Sequence, residues 1–294
     1  MQDINLHNIT TDKLSLPLFI EKEVEADVLR LDKIHSHVSG NKWFKLRYYL
    51  EDAKQQAKKT IVTYGGAWSN HVIATAAICK INDISCIGII RGEEATTLSP
   101  TLIEAKSLGM QLFFISREDY RSGHIPEGLN KPEYYFIPEG GYGVMGAEGA
   151  ATILDYCNKE NYSHICCATG TGTMAAGLIK NSLPSQQVIA ISVLKNNLDG
   201  EKNIKSLIGE KEFKIIHDYH FGGYAKHKPE LIDFMDDFFR HTAIPSDFVY
   251  TGKLFFAINH LIHTNFFMPG SRLLIIHSGG LQGNASLSNG TLIF

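Results

Sequence analysis

Thr60-Ile61-Val62-Thr63-Tyr64-Gly65-Gly66-Ala67-Trp68-Ser69-Asn70-His71 is a strand that halts at a glycine pair and gives way to a helix over 70–77. β-branched and aromatic residues favour the extended run, and the glycines break it. The same unit recurs in both directions. Cys86-Ile87-Gly88-Ile89-Ile90 reads as a strand, 102–108 as a helix and Gln111-Leu112-Phe113-Phe114-Ile115 as a strand. Tyr135-Phe136-Ile137 leads into a second pair, Gly140-Gly141, and a helix around 147–156. His164-Ile165-Cys166-Cys167 enters a Gly/Thr loop and another helix, and 188–193 and 272–277 are further apolar strands. Strands without polar alternation, each followed by a helix, predict an α/β architecture with mainly parallel sheets covered on both faces.

Composition narrows the function. The 294 residues are 44% hydrophobic, enough for a large core in one or two domains. A formal net charge of -3 leaves no basic footprint for nucleic acid, and no apolar run reaches the roughly 18 residues of a membrane span. Met1-Gln2-Asp3-Ile4-Asn5 has neither a positive leader nor an apolar core, so a cytoplasmic protein is expected. The five cysteines (Cys79, Cys86, Cys157, Cys166, Cys167) sit in apolar surroundings and read as free thiols.

In parallel sheets ligands gather where strand ends meet helix starts. Upstream of the first strand, Ser39-Gly40-Asn41-Lys42-Trp43-Phe44-Lys45-Leu46 sets Lys42 after a flexible turn, at the mouth of a helix. A lysine there is either solvated surface charge or, desolvated, an amine nucleophile able to form a Schiff base with a carbonyl cofactor. Ser69 and Asn70 either cap their helix or offer hydroxyl, amide and N–H groups to an anion. Thr169-Gly170-Thr171-Gly172-Thr173 lies between strand and helix, with hydroxyls at alternate positions and glycine-freed backbone: phosphate-cradle chemistry. Gly170, Gly172 and Ala175 also fit a permissive dinucleotide pattern, but the next strand ends in Val193-Leu194-Lys195, with no acid for a ribose hydroxyl, so a monophosphate fits better. Tyr224, Tyr250 and the strand end His277-Ser278-Gly279-Gly280 complete a set consistent with a pyridoxal phosphate site.

Together these motifs resemble those of the 1-aminocyclopropane-1-carboxylate deaminase / D-cysteine desulfhydrase family, within the tryptophan-synthase-β-like pyridoxal phosphate enzymes. The likeness runs over 39–283 and includes Pro138-Glu139-Gly140-Gly141 and Tyr250-Thr251-Gly252-Lys253. It implies that Lys42 is the Schiff-base lysine, that Asn70 meets the ring oxygen, and that Ser69 holds the substrate carboxylate or moves a proton. It further implies that Ala168, Thr169, Gly170, Thr171, Gly172 and Thr173 hold the phosphate. Tyr224 and Tyr250 would flank the ring, with Thr251 near its nitrogen, Ser278 also at the cofactor, and His71 and Trp68 beside the substrate. The deaminases carry glutamate where this chain has Thr251 and leucine where it has Ser278. Both departures resemble the desulfhydrase branch and favour α,β-elimination over cyclopropane ring opening. Trp43-Phe44 and Ala67-Trp68 replace smaller or more polar residues of the family and put the substrate in question. The resemblance also implies a cytoplasmic homodimer of two α/β domains, 1–45 with 144–294 and an inserted 46–143, with the cofactor in the cleft. A Rossmann-like oxidoreductase and an inactive amino-acid binder are the competing readings.

Other polar residues have plainer readings. His217 with His220, and His260 with His263, mimic helical metal pairs but lack a third ligand, so no metal is expected. Lys54, Lys58 and Lys59 form a solvated face, and Asp233, Asp236 and Asp237 are the wet side of an amphipathic stretch over 231–239.

Overall fold

A computed structural model describes residues 4–38, 40–209 and 211–294. The chain opens with β1 (Thr11–Leu14), the short helix α1 (Pro17–Glu21), β2 (Glu25–Arg30) and α2 (Asn41–Gln55). Next come β3 (Thr60–Gly65), α3 (Asn70–Ile81), β4 (Ser85–Arg91), α4 (Pro100–Ser107), β5 (Met110–Ile115), α5 (Arg117–Ser122) and β6 (Tyr134–Ile137). After α6 (Val144–Ala151) the chain forms β7 (His164–Thr169), α7 (Thr173–Asn181), β8 (Gln187–Ser192), α8 (Leu198–Ile208) and β9 (Lys214–Ile216). It closes with α9 (Pro229–Thr242), α10 (Thr251–His263) and β10 (Arg272–His277).

Two sheets result. The first has the order β5-β4-β3-β6 and is parallel throughout. The second has the order β1-β2-β10-β7-β8-β9, parallel except for the β1–β2 pair. The link between β1 and β2 holds only one short helix, too little for a parallel crossover, so the two strands run antiparallel. Asp12 and Lys13 on this outer strand discourage pairing with another chain.

Both faces of each sheet are covered, as the apolar strands require. Along β7, Cys166 and Ala168 enter one core while Ile165 and Cys167 enter another, and Leu273 and Ile275 of β10 part from Leu274 and Ile276 in the same way. In the smaller sheet Ile61 and Val62 likewise face separate cores. Each fully buried Leu or Ile contributes roughly 1.5–3 kcal/mol. All five cysteines are free, four of them buried.

Several elements differ from the sequence reading. β2 escaped notice because Glu25 and Asp27 interrupt its apolar pattern, and the helix expected over 147–156 ends at Ala151 and continues as a 3₁₀ turn over Thr152–Tyr156. The amphipathic stretch over 231–239 belongs to the longer α9. α2 runs unbroken from Asn41 to Gln55, so the expected limit between residues 45 and 46 falls inside a helix.

Candidate active site

A cavity of about 350 Å³ opens where the carboxyl ends of both sheets face each other. Asn41, Lys42 and Lys45 of α2, Ser69, Asn70 and His71 at the start of α3, Arg91 and Glu139-Gly140 line it from one side. Ala168 through Gly172, Met174, Leu194, Tyr224, Tyr250 and Ser278-Gly279-Gly280 line it from the other.

The turn that delivers Lys42 is stitched to the residues just past the carboxyl ends of β2 and β10, neighbours in the larger sheet. Gly40 N–H donates to Leu31 O at 2.9 Å, and Asn41 N–H to Ser278 O at 3.2 Å. Gly40 sits at φ 63° with its Cα so close that an added Cβ would fall 1.8 Å from Ser278 O, so only glycine fits there. Ser39 lies outside the described residues. Lys42 Nζ donates to Asn41 Oδ1 at 2.8 Å and stands 5.9 Å from the Tyr250 ring centroid. Burial lowers its pKa to about 8, against a partial opposing pull from Asp247. An amine in that range has a substantial neutral fraction near physiological pH, as a nucleophile needs.

One helical turn on, Lys45 is buried and donates to Gly140 O at 3.2 Å. Burial and the neighbouring Lys42 hold it well below the ordinary lysine range. His71 faces the same two amines. Burial, then Lys42 and Lys45, depress it to about 3, so the ring is neutral. Thr63 hydroxyl donates to Ile137 O at 2.9 Å and therefore accepts from His71 Nε2–H at 2.8 Å. That assignment leaves the His71 Nδ1 lone pair bare and buried.

The two loops that follow β3 and β7 share a design. Ser69 caps α3, its oxygen accepting from Val72 N–H at 3.3 Å, which leaves its hydroxyl proton free. The N–H groups at the first positions of a helix have no partner within it, so Asn70 and His71 present donors. Gly172, in the left-handed region, starts α7. Asn197 Nδ2 and Asn203 Nδ2 bind the carbonyls of Gly170 and Thr171 at 3.0 and 3.4 Å, fixing the loop from behind. Thr169 Oγ1 and Asn70 Oδ1 are buried without partners. Such groups are costly in a finished core and usual where a ligand completes the set.

Of the residues singled out from sequence, Lys42, Ser69, Asn70, His71, Ala168, Thr169, Gly170, Thr171, Gly172, Tyr224, Tyr250 and Ser278 meet at this cavity. Three do not line it. Thr251 is fully buried and its hydroxyl donates to Asp247 Oδ1 at 2.7 Å while accepting Asp247 N–H at 2.8 Å, a local bond that draws it off the cavity wall. Thr173 is enclosed at the head of α7, with its hydroxyl 3.2 Å from that of Thr171. Trp68 lines a second recess instead, of about 240 Å³, with Tyr224, His227 and Phe248. Tyr224 and Tyr250 pack edge to face at 6.0 Å, and burial raises both hydroxyls, Tyr250 far up, so they are donors at neutral pH.

Sequence reasoning quoted Lys45 and Glu139 within its motifs but gave them no site role, and it passed over Arg91 altogether. Lys45 had a signal, its position one turn after Lys42 on the same helical face. Arg91 and Glu139 reach the site only because β4 and β6 flank β3.

A model of the pyridoxal-phosphate dependent enzyme family matches residues 9–279. A Thermotoga maritima protein whose name assigns 1-aminocyclopropane-1-carboxylate deaminase activity provisionally is 29% identical over 273 residues, 83% of this chain and 85% of that protein. The Arabidopsis thaliana mitochondrial bifunctional D-cysteine desulfhydrase/1-aminocyclopropane-1-carboxylate deaminase is 28% identical over 87% of this chain and 72% of its own length. The crystal structure of an ACC deaminase homologue superposes with a TM-score of 0.76 at 25% identity, covering 94% of this chain and 90% of that one.

Proposed function

The chain belongs to the family of pyridoxal-phosphate dependent enzymes, and on that footing we propose a lyase of small amino acids that expels a β-substituent, as a D-cysteine desulfhydrase does. The carrying observation is the Lys42 amine, lowered to about 8, in one cavity with the glycine-rich loop 169–172. The donor set suits the cofactor. Thr169 Oγ1 and Asn70 Oδ1, both buried and unpartnered, have ligand atoms to meet: a phosphate oxygen for the first, and the protonated ring oxygen for the second. Lys42 would hold the cofactor covalently. Thr169, the 170–172 backbone and the start of α7 would hold its phosphate, and Ser278 the far edge of its ring.

The bound cofactor supplies an electron sink that makes the substrate's α-C–H acidic. This chain's own groups do the rest. Ser69 hydroxyl and the Asn70 and His71 amides orient the carboxylate at the positive end of α3. Lys42 Nζ, once freed by the substrate amine, accepts the α-proton. Tyr250 and Tyr224 remain protonated and can give a proton to the departing group. Water then converts the unsaturated product to a keto acid and ammonia.

Thr251, where the deaminases carry glutamate, and Ser278, where they carry leucine, support elimination over ring opening; Thr251 brings no fixed negative charge to strengthen the sink. The named relatives keep ring opening of 1-aminocyclopropane-1-carboxylate as the second reading. Borohydride reduction of protein loaded with pyridoxal phosphate, followed by peptide mass mapping, should mark Lys42; labelling elsewhere would end the assignment. A panel of D-cysteine, L-cysteine, D-serine and 1-aminocyclopropane-1-carboxylate then separates the chemistries, pyruvate reporting elimination and 2-oxobutanoate reporting ring opening. We also place the chain in the cytoplasm as a homodimer, with 46–143 as the smaller domain; the separate β3–β6 sheet supports that division.

A further inference from the structure

Two side chains on the cavity wall, Arg91 and Glu139, have opposite charges and no part in the chemistry above. Arg91 ends β4 and Glu139 follows β6, the two strands on either side of β3. Among the described residues no ion pair joins either of them to a partner, nor to each other. Tyr120 stands by both. The Arg91 guanidinium lies 5.4 Å from its ring centroid, and burial, together with the Glu139 carboxylate, pushes its hydroxyl up. Tyr64 packs edge-on against that ring at 6.0 Å and anchors it. Arg91 also overhangs the start of the loop to Ser69, since an added Cβ at Gly66 would lie 3.4 Å from Nη2. The rim thus offers a planar donor fork and a carboxylate, both flanking the Tyr120 ring and, among the described residues, neither held in an ion pair.

A lone anion at the fork would be repelled by Glu139, and a lone cation at Glu139 by Arg91. A group with both charges satisfies both, its carboxylate taking the guanidinium in a bidentate bond and its ammonium the Glu139 oxygens. We propose that Arg91 and Glu139 form a distal subsite for substrates whose β-substituent ends in a second ammonium-carboxylate head, as in two amino acids joined through a thioether. The inference rests on the elimination reading. The Cα–H bond breaks with its proton passing to Lys42 Nζ, and its electrons form the Cα=Cβ bond. The Cβ–S bond breaks with its pair going to sulfur, which takes a proton and leaves as a thiol amino acid. Addition of one water to the remaining enamine yields pyruvate and ammonia.

Lanthionine tests this against serine and O-phosphoserine, with dissociation constants from absorbance titration of the pyridoxal phosphate-loaded protein and KM from pyruvate release. Lanthionine should bind about tenfold more tightly than serine, as one or two charge-assisted bonds would give. Arg91→Gln and Glu139→Gln should each cost about tenfold more for lanthionine than for serine. O-phosphoserine should weaken with Arg91→Gln and tighten with Glu139→Gln. Equal losses for lanthionine and serine, or tighter lanthionine binding in Glu139→Gln, would overturn the subsite. Both side chains are exposed, and circular dichroism melts check that the variants fold. Loss of borohydride labelling at Lys42 would count against the parent reading, whereas normal labelling with no preference for lanthionine would sink the subsite alone.

Discussion

The cluster around Arg30 and the cluster around Lys42 both bury charge, and they resolve it in opposite ways. Arg30 Nε and Nη2 grip Asp32 at 2.8 and 2.6 Å, and Nη1 reaches Asp12 at 3.0 Å. His277 Nδ1 lies 3.3 Å from Asp32, and its Nε2–H is tied to Pro245 O at 2.7 Å. Burial alone would raise Asp32, but Arg30 and His277 hold it below the ordinary range. Lys42, Lys45 and His71 have only the pull of Asp247 on Lys42 and of Cys167 on Lys45 to offset their burial, and all three lose proton affinity. A buried charge closed by partners is architecture, whereas buried basic groups left unneutralised, with bare acceptors beside them, are held ready for a ligand.

The contrast breaks most sharply at Lys42. Lys42→Ala should abolish borohydride-stable cofactor attachment and reduce turnover by about 10³-fold or more, while the cofactor-free protein melts no lower than the parent. A fall in melting temperature matching that of an Arg30-cluster variant would show that Lys42 is structural after all. Asp32→Asn should do the reverse, costing about 3–5 kcal/mol in urea unfolding with cofactor still attached at Lys42; a cost under about 1 kcal/mol would put the pair among surface ion pairs.

Smaller effects sharpen the comparison. Thr169→Val removes a hydroxyl unpartnered in the protein, so pyridoxal phosphate affinity should drop about tenfold, with little change in stability. Equal weakening of pyridoxal without the phosphate would detach Thr169 from the phosphate. The smallest effect is on pH dependence. Lys42 has its folded pKa at about 8, below the ordinary lysine value of 10.5. Between these values the unfolded chain holds the extra proton, so the cofactor-free protein should gain stability as pH rises through that window. Cofactor capture should quicken as pH approaches 8 and level off above it. Lys42→Met should remove Lys42's share of the stability gain, which differential scanning calorimetry at several pH values would detect.

The mostly apolar, β-prone runs at 60–64, 86–90 and 188–193 made the parallel sheets legible, because a strand buried on both faces needs apolar residues on both. Lys42, the Ser69-Asn70-His71 helix start and the 169–173 loop were legible too, since glycine, hydroxyl and lysine at helix mouths carry their chemistry in short-range order. The rest depended on which distant segments meet. Arg91 and Glu139 became neighbours of the site through strand order. Thr251 lost its expected place because Asp247, a short step back along the chain, captured its hydroxyl. Gly40 is required because Ser278 O, far along the chain, occupies the space of its missing Cβ. Sequence by itself settled the kind of fold and singled out Lys42 as the candidate nucleophile, through local patterns. Tertiary structure alone decided which charges found partners, because pairing is set by approach through space and desolvation by everything packed around it.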